Sequence, residues 1–148
     1  VIIFTNFTDS FNALMSQFGN IVVGHNGKMN EKQKQNSVDQ FQENDNIKVF
    51  VGNLKAAGVG ITLTAAEAAI MNDLSFVPSD HAQAEDRAYR YGQKSNVSIF
   101  YPLFDNTIEG IIYDILTKKK HIFETVMGDN EDKGTVMEEI LNSISRLR

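Results

Sequence analysis

Short apolar runs alternate along the chain with longer segments in which apolar residues recur every three or four positions. The apolar runs are VIIFT at 1–5, NIVVGH at 20–25, IKVFVG at 47–52, AAIMND at 68–73 and NVSIFY at 96–101. Runs this short and this apolar are typical of strands that are buried on both faces of a sheet. Strands and helices in alternation predict an α/β domain with a mainly parallel central sheet, helices on both faces, and ligands at the carboxyl ends of the strands.

Helix-length segments separate these runs. The helices predicted between strands span 7–18, 30–41, and Ser79 or Asp80 to about Tyr91. Asn30 and Gln33 stand at the spacing of a capping box, in which each side chain bonds the other residue's backbone N–H. We therefore expect the second helix to begin at Asn30.

The region after the last strand predicts one long helix, followed by a linker and a final short helix. Asn106 and Glu109 stand at the spacing of another capping box, and an apolar stripe runs from Ile108 to Val126. Lys118, Lys119 and Lys120 interrupt the stripe, which fits either a solvated helix face or a DNA contact. The predicted organisation is a lobe at 1–127, a polar linker at 128–134 and an amphipathic helix at 135–148.

Composition narrows the function. The 148 residues are 42% hydrophobic and 22% charged, which is typical of one soluble globular domain, and no run reaches membrane-spanning length. The absence of cysteine favours a reducing intracellular compartment, and with only three well-separated histidines we expect no metal site. A net charge of −5 means that any nucleic-acid contact must be local. Since Val1 already stands within an apolar run, we expect the chain to be part of a longer protein.

The segment QAEDRAYRYGQ at 83–93 carries the strongest candidate chemistry. At helical spacing, Gln83, Arg87 and Arg90 share one face. Two guanidinium groups beside an amide suit a polyphosphate, because arginine stays charged and offers a planar fork of donors to phosphate oxygens. The structural alternative is an ion pair between Asp86 and Arg90 on a solvated helix, with Gln83 closing a capping box at Asp80.

A glycine-containing turn, GNLKAAGVGITLTAA at 52–66, follows a predicted strand. Gly58 and Gly60 would let the backbone approach a ligand where a side chain would clash, although a plain tight turn also explains them. The turn is not a phosphate-binding P-loop, because Gly-Lys-Ser and Gly-Lys-Thr occur nowhere in the sequence.

Taken in order, these motifs resemble the C-terminal RecA-like lobe of superfamily two helicases, and among them the Swi/Snf-related DNA-dependent ATPases. VIIFTNF resembles helicase motif IV, LKAAGVGITLTAA motif V, and QAEDRAYRYGQ motif VI with its Gln-x-x-Asp-Arg-x-x-Arg pattern intact. The Gln-Ala-Glu-Asp-Arg and Ala-Ala-Gly-Val-Gly forms are similar to those of the annealing-helicase branch. The resemblance covers Val1 to about Gly128 and implies a three-layer RecA-like (P-loop NTPase-type) fold.

The resemblance also implies roles at the nucleotide. Arg87 and Arg90 would be the catalytic arginines that reach the γ-phosphate of ATP on another lobe, with Arg90 the better arginine-finger candidate. Gln83, Gly58 and Gly60 would lie against the nucleotide. The ATP and its Mg²⁺ would be held mainly by a first RecA-like lobe, so that this chain alone would not hydrolyse ATP.

DNA-backbone contacts are implied at further positions after the strands. These are Asn6, Thr8, Asn26, Gly27, Lys28, Asn53 and Lys55. Structural alternatives stay open, because Asn26-Gly27 is a common turn dipeptide, Thr8 is a possible helix cap, and His25 is expected to be a packed or turn histidine.

The function that follows is the second motor lobe of an ATP-dependent DNA translocase, with the first lobe of the same parent chain and duplex or forked DNA as partners and no membrane contact. Two alternatives are a non-catalytic nucleic-acid or partner-binding module and an RNA helicase lobe. We expect an intracellular location, either a bacterial or phage-infected cytoplasm or a nucleus.

Overall fold

The computed structural model describes residues 1–54, 61–89, 92–93, 95–104 and 106–125, with only the backbone for 118–125. The elements in chain order are β1 Ile2–Thr5, α1 Thr8–Phe18, a 3₁₀ turn Gly19–Ile21, β2 Val22–His25, α2 Glu31–Glu43, β3 Val49–Asn53, β4 Ala68–Met71, α3 Pro78–Ala88, β5 Ser98–Phe100 and α4 Ile108–Thr125. The predicted alternation of strands and helices is therefore confirmed.

The described strands form one parallel sheet in the order β2-β3-β1-β4-β5. The first strand of the chain thus lies in the middle, between β3 and β4. Because parallel neighbours end at the same edge, the carboxyl ends of all five strands lie along one side of the sheet. The predicted α/β architecture with a mainly parallel sheet is confirmed.

Successive side chains of β1 point to opposite faces, and each face carries its own core. On one face Ile2 and Phe4 pack with Phe41 of α2 and with Ala84 and Ala88 of α3. On the other face Ile3 packs with Phe11 of α1 and with the strand residues Val22, Val49 and Val51. Helices therefore cover both faces of the sheet, as the sequence predicted.

Of three predicted helix starts, one is confirmed and two differ. The capping box of Asn30 and Gln33 is present, with reciprocal bonds of 2.9 and 3.0 Å, but α3 begins at Pro78. Proline lacks an N–H and has a helical φ, so it suits the first helical position, and Asp80 therefore lies inside the helix and is not its cap. Asn106 has a φ of 58°, outside the extended conformation of an N-cap, and α4 begins only at Ile108.

The chain separates into two compact units. One comprises Val1–Asp73 and Asp80–Pro102, and it contains the sheet. The other comprises Leu74–Ser79 and Leu103–Arg148, and in its described part Leu74 and Ile111 pack with the buried Ile112, Ile115 and Leu116. The predicted linker at 128–134 and helix at 135–148 lie outside the described residues, and so do the side chains of the lysine triplet.

Candidate functional site

The carboxyl edge of the sheet gathers most of the described residues that the sequence marked as DNA contacts. Asn6 follows β1, the Asn26-Gly27-Lys28 turn follows β2, and Asn53 is the last residue of β3. The topology therefore brings to one edge residues that are far apart in sequence.

A carboxylate organises the centre of this edge. Asp73 follows β4, and its Oδ2 accepts hydrogen bonds from the hydroxyl of Thr5 and from the backbone N–H of Asn6 at 3.1 Å. Its Oδ1 accepts from the amide of Asn72 at 3.0 Å. Thr5 is fully buried, so that the bond also satisfies a hydroxyl that water does not reach. Asp73 thereby fixes the chain where it leaves β1.

A second bond ties the exits of β1 and β3. The Asn53 amide donates to the backbone carbonyl of Asn6 at 3.2 Å, across 47 positions of sequence. Asn53 is in this way both a predicted DNA contact and a structural link. The N-cap of α1 is Phe7, and no side chain caps the helix there, so Thr8 is its first helical residue and not its cap. The Thr8 side chain is exposed at this edge.

The turn after β2 has a defined conformation. The Asn26 side-chain oxygen accepts from the backbone N–H of Lys28 at 2.9 Å, and the Asn26 carbonyl accepts from Met29 at 3.3 Å. This is an Asx turn, in which a side chain takes the place of a backbone turn. The structural role proposed for Asn26-Gly27 is confirmed, and the turn leaves Gly27 and Lys28 exposed.

His25, which precedes this turn, is a packed side chain. It is 2% exposed, its ring centroid lies 6.0 Å from that of Phe50, and its Nδ1 is buried with no hydrogen-bond partner. Burial lowers the pKa of His25 below its usual 6.5, and the positive charge of Lys34 lowers that pKa further, while Glu31 opposes both. The imidazole is therefore neutral near pH 7.

The helix α3 presents the candidate nucleotide-contacting residues. Gln83 and Arg87 lie one turn apart, Gln83 exposed and Arg87 partly buried. The opposite side of the helix is held to the sheet: Glu85 accepts a short hydrogen bond from the hydroxyl of Tyr101, and the ring of buried His81 lies 5.7 Å from that of Tyr101. These contacts fix the rotation of α3 about its axis.

Arg87 also contacts the segment that follows the glycine turn. Its Nη1 lies 3.4 Å from the carbonyl of Ile61, and its own carbonyl accepts from the N–H of Leu63 at 3.1 Å. The first distance is long for a hydrogen bond, while the second is normal. The structure thus brings the end of α3 against the last residues of motif V.

Several sequence-predicted site residues fall outside the described residues. They are Lys55, Gly58, Gly60 and Arg90. The alternative of an ion pair between Asp86 and Arg90 therefore also lies outside the described residues. Sequence reasoning missed Asp73, although the run AAIMND ended on it. Its position after a parallel strand was the available signal, since that is where functional side chains collect.

The part of the chain that the structure describes contains neither a cluster of metal ligands nor a helix that could span a membrane. No group of three or more histidine, aspartate and glutamate side chains there could hold a metal ion. None of the described helices has the length and apolarity needed to cross a membrane.

Residues 1–92 match the family model described as "Helicase conserved C-terminal domain". Over 111 residues, or 74% of the chain, the sequence is 39% identical to a SWI/SNF-related matrix-associated actin-dependent regulator of chromatin subfamily A-like protein 1 from Drosophila melanogaster. It is 31% identical, over 72% of the chain, to the human DNA annealing helicase and endonuclease ZRANB3.

The fold is also similar to a solved structure. The crystal structure of the C-terminal part of the Fun30 ATPase domain aligns with a TM-score of 0.74 and 29% identity, over 94% of this chain and 46% of that one. The matches to the two curated relatives span only 15% and 10% of those proteins, so the chain corresponds to a small part of each.

Proposed function

Because this chain belongs to the helicase conserved C-terminal domain family, we propose that it acts as the second motor lobe of an ATP-dependent DNA translocase of the SWI/SNF-related kind. The observation that carries the proposal is the match over 1–92, which spans strands β1 to β4 with the residues that follow them, and the arginine helix α3. A first lobe would hold ATP and Mg²⁺, and duplex or forked DNA would be the substrate. The protein would work inside the cell.

Arg87 and Arg90 are the proposed catalytic residues. Each would donate to the γ-phosphate of ATP bound on the first lobe and stabilise the charge that develops on the transferring phosphoryl group. Gln83 would donate a hydrogen bond from its amide to the nucleotide, and Gly58 and Gly60 would let the backbone approach the nucleotide closely. The placement of Arg87 supports this, because α3 is held by Glu85 and His81 on its other side and leaves Arg87 partly accessible.

The carboxyl edge is the proposed DNA contact. Asn6, Thr8, Asn53, Lys55 and the Asn26-Gly27-Lys28 turn would bond phosphate oxygens, which fixes position on the duplex without reading sequence. The Asp73 network supports the proposal because it holds the exit of β1 in one conformation before DNA arrives. DNA binding would then draw the lobes together and complete the site.

ATP hydrolysis by the protein that joins this lobe to its first lobe tests the proposal. We expect duplex DNA to stimulate hydrolysis, and Arg90→Ala to lower kcat by about 10³–10⁵ while nucleotide binding survives. Lys32→Ala is the control, because Lys32 is an exposed cation that belongs to α2 and not to the arginine helix.

Two results would contradict the proposal. If hydrolysis is absent, or if Arg90→Ala does not change its rate, the chain is a non-catalytic binding module. The arginines of the helix are then ordinary surface charges. Stimulation by duplex RNA in preference to duplex DNA would indicate an RNA helicase lobe, because A-form and B-form helices differ in groove geometry.

A further inference from the structure

Gln93, after α3, joins a segment that contacts Arg87 to the end of the helix that carries Arg87. Its Nε2 donates to the carbonyl of Ala66 at 2.8 Å and to the carbonyl of Ala88 at 3.2 Å. Its Oε1 accepts from the N–H of Ser95 at 3.2 Å. One side-chain amide therefore links the end of motif V, the end of α3 and the chain that continues to β5.

The two joined segments surround Arg87. Leu63 donates its N–H to the Arg87 carbonyl at 3.1 Å, and the Arg87 guanidinium approaches the Ile61 carbonyl at 3.4 Å. Leu63, Ala66 and Ala88 are all fully buried. Residues 61–66 are thus bonded to the last turn of α3 twice, by Leu63 at the Arg87 carbonyl and by the Gln93 side chain through Ala66 and Ala88.

Glutamine is suited to this position by its chemistry. A side-chain amide carries two N–H donors and one acceptor oxygen, and the bonds here use both kinds of group. Glutamate of the same length has no donor at neutral pH, and methionine has neither donor nor strong acceptor. Either replacement would leave the carbonyls of Ala66 and Ala88 without this donor at a site where both residues are buried.

We propose that Gln93 is a positioning residue that couples the end of motif V, residues 61–66, to the arginine helix, and so carries the effect of bound DNA to Arg87. The inference rests on the proposed function, since it needs DNA at motif V and a phosphate at the arginines. Gln93 itself touches neither ligand in this proposal. It holds the end of α3 so that movement of residues 61–66 and placement of Arg87 are linked.

The test compares Gln93→Met and Gln93→Glu with wild type in the protein that joins both lobes. We expect the DNA-stimulated kcat to fall about tenfold in both variants, which corresponds to about 1.4 kcal/mol. The KM for ATP and the affinity for duplex DNA should stay within about twofold of wild type, because the binding groups are retained. Hydrolysis without DNA should change less than the stimulated rate.

Gln42→Met is a matched control. Gln42 is a partly buried glutamine of α2, whose Nε2 donates to the Thr64 hydroxyl at 3.1 Å and whose Oε1 accepts from Ala65 at 2.8 Å. It therefore fastens the same segment, but to α2 and not to the arginine helix. We expect Gln42→Met to lower the melting temperature as much as Gln93→Met does, with the DNA-stimulated kcat kept.

A double-mutant cycle with Arg87→Ala separates positioning from general stability. If Gln93 acts through Arg87, Gln93→Met should reduce kcat by less than about twofold when Arg87 is already alanine. A full tenfold effect in that background would overturn the inference. So would equal losses in Gln42→Met and Gln93→Met, or a loss of activity that only follows the folded fraction measured by circular dichroism.

The failure of the inference is distinguishable from that of the proposed function. A wild-type protein without DNA-stimulated hydrolysis contradicts the proposed function, and with it the inference. A stimulated wild type whose rate is lost in Arg90→Ala but kept in Gln93→Met contradicts the inference alone.

Discussion

Two asparagines at the carboxyl edge stabilise the structure in addition to their proposed contacts with DNA. The Asn53 amide bonds the Asn6 backbone, and the Asn26 side chain closes a turn. An alanine at either position would therefore change the edge itself as well as a DNA contact. Lys28 is a better position for testing DNA binding, because only its backbone takes part in the turn and its side chain is exposed. Replacing that side chain should change binding without changing the fold.

His25 predicts a pH dependence of stability. Burial, with a smaller effect of Lys34, lowers the pKa of His25 below 6.5 in the folded chain, and unfolding restores the usual value. The unfolded state then takes up a proton more readily, so stability that is present above about pH 6.5 is lost as the pH falls below it. We expect the free energy of unfolding in urea to fall between pH 7.5 and pH 5.5.

His25→Gln isolates this contribution, because glutamine does not titrate. Its free energy of unfolding should fall less than that of wild type over the same interval, since the two proteins differ only at this position. Equal losses in the two proteins would show that His25 does not titrate on unfolding as we expect.

At the scale of elements, β2 is built for the close approach of α1. A Cβ at Gly24 would lie 2.6 Å from the Phe11 ring and 2.9 Å from the Met15 sulfur, distances that real Cβ atoms do not show. We expect Gly24→Val to lower the free energy of unfolding by about 1–3 kcal/mol, measured by urea denaturation, because the helix must shift.

The control for that substitution is Gly27→Ala, since a Cβ at Gly27 meets nothing within 4 Å. Adding Met15→Ala to Gly24→Val should restore part of the lost stability by making room beside the strand. If Gly24→Val and Gly27→Ala are equally stable, α1 does not pack on β2 as described.

The elements of the described sheet were predictable because their signals are local. Short apolar runs marked every strand, and the Asn30 and Gln33 spacing marked the start of α2. The start of α3 was predicted one or two residues late, because Ser79 and Asp80 are common caps while Pro78 occupies the first turn. Asn106 was taken for a cap when its backbone is left-handed.

The candidate site was predictable only in its residue types. The bond from Thr5 to Asp73 spans 68 positions, and those from Gln93 reach Ala66 across 27. No spacing rule relates residues so far apart, because their contact follows from the strand order. The roles of Asp73 and Gln93 therefore required the fold, whereas Arg87 and Gln83 could be named from the helical repeat alone.

At the scale of the whole molecule, charge limits how the lobe holds DNA. With a net charge of −5, the isolated chain should bind duplex DNA weakly, with a Kd of about 10⁻⁴ M at physiological salt. Lys28→Ala should weaken binding further and make the logarithmic salt dependence shallower by about one, because one phosphate contact is lost. Fluorescence anisotropy at several salt concentrations measures both.

Lys48→Ala serves as the matched control, because Lys48 is exposed and positively charged but directly precedes β3, at the amino end of the strands. It should leave the salt dependence unchanged. Tight binding that persists at high salt, or equal effects of the two lysines, would place the DNA elsewhere than on the carboxyl edge.

The central place of β1 has a consequence for synthesis on the ribosome. Among the described strands β1 is made first, yet its neighbours are β3 and β4, which end at Asn53 and Met71. Its apolar residues Ile2, Ile3 and Phe4 therefore stay exposed while roughly fifty more residues are made. Strands whose partners are far away in sequence pair slowly, and their apolar surface is exposed until they do. We therefore expect β1, while its partner strands are still being made, to be recognised by chaperones that bind extended apolar peptides.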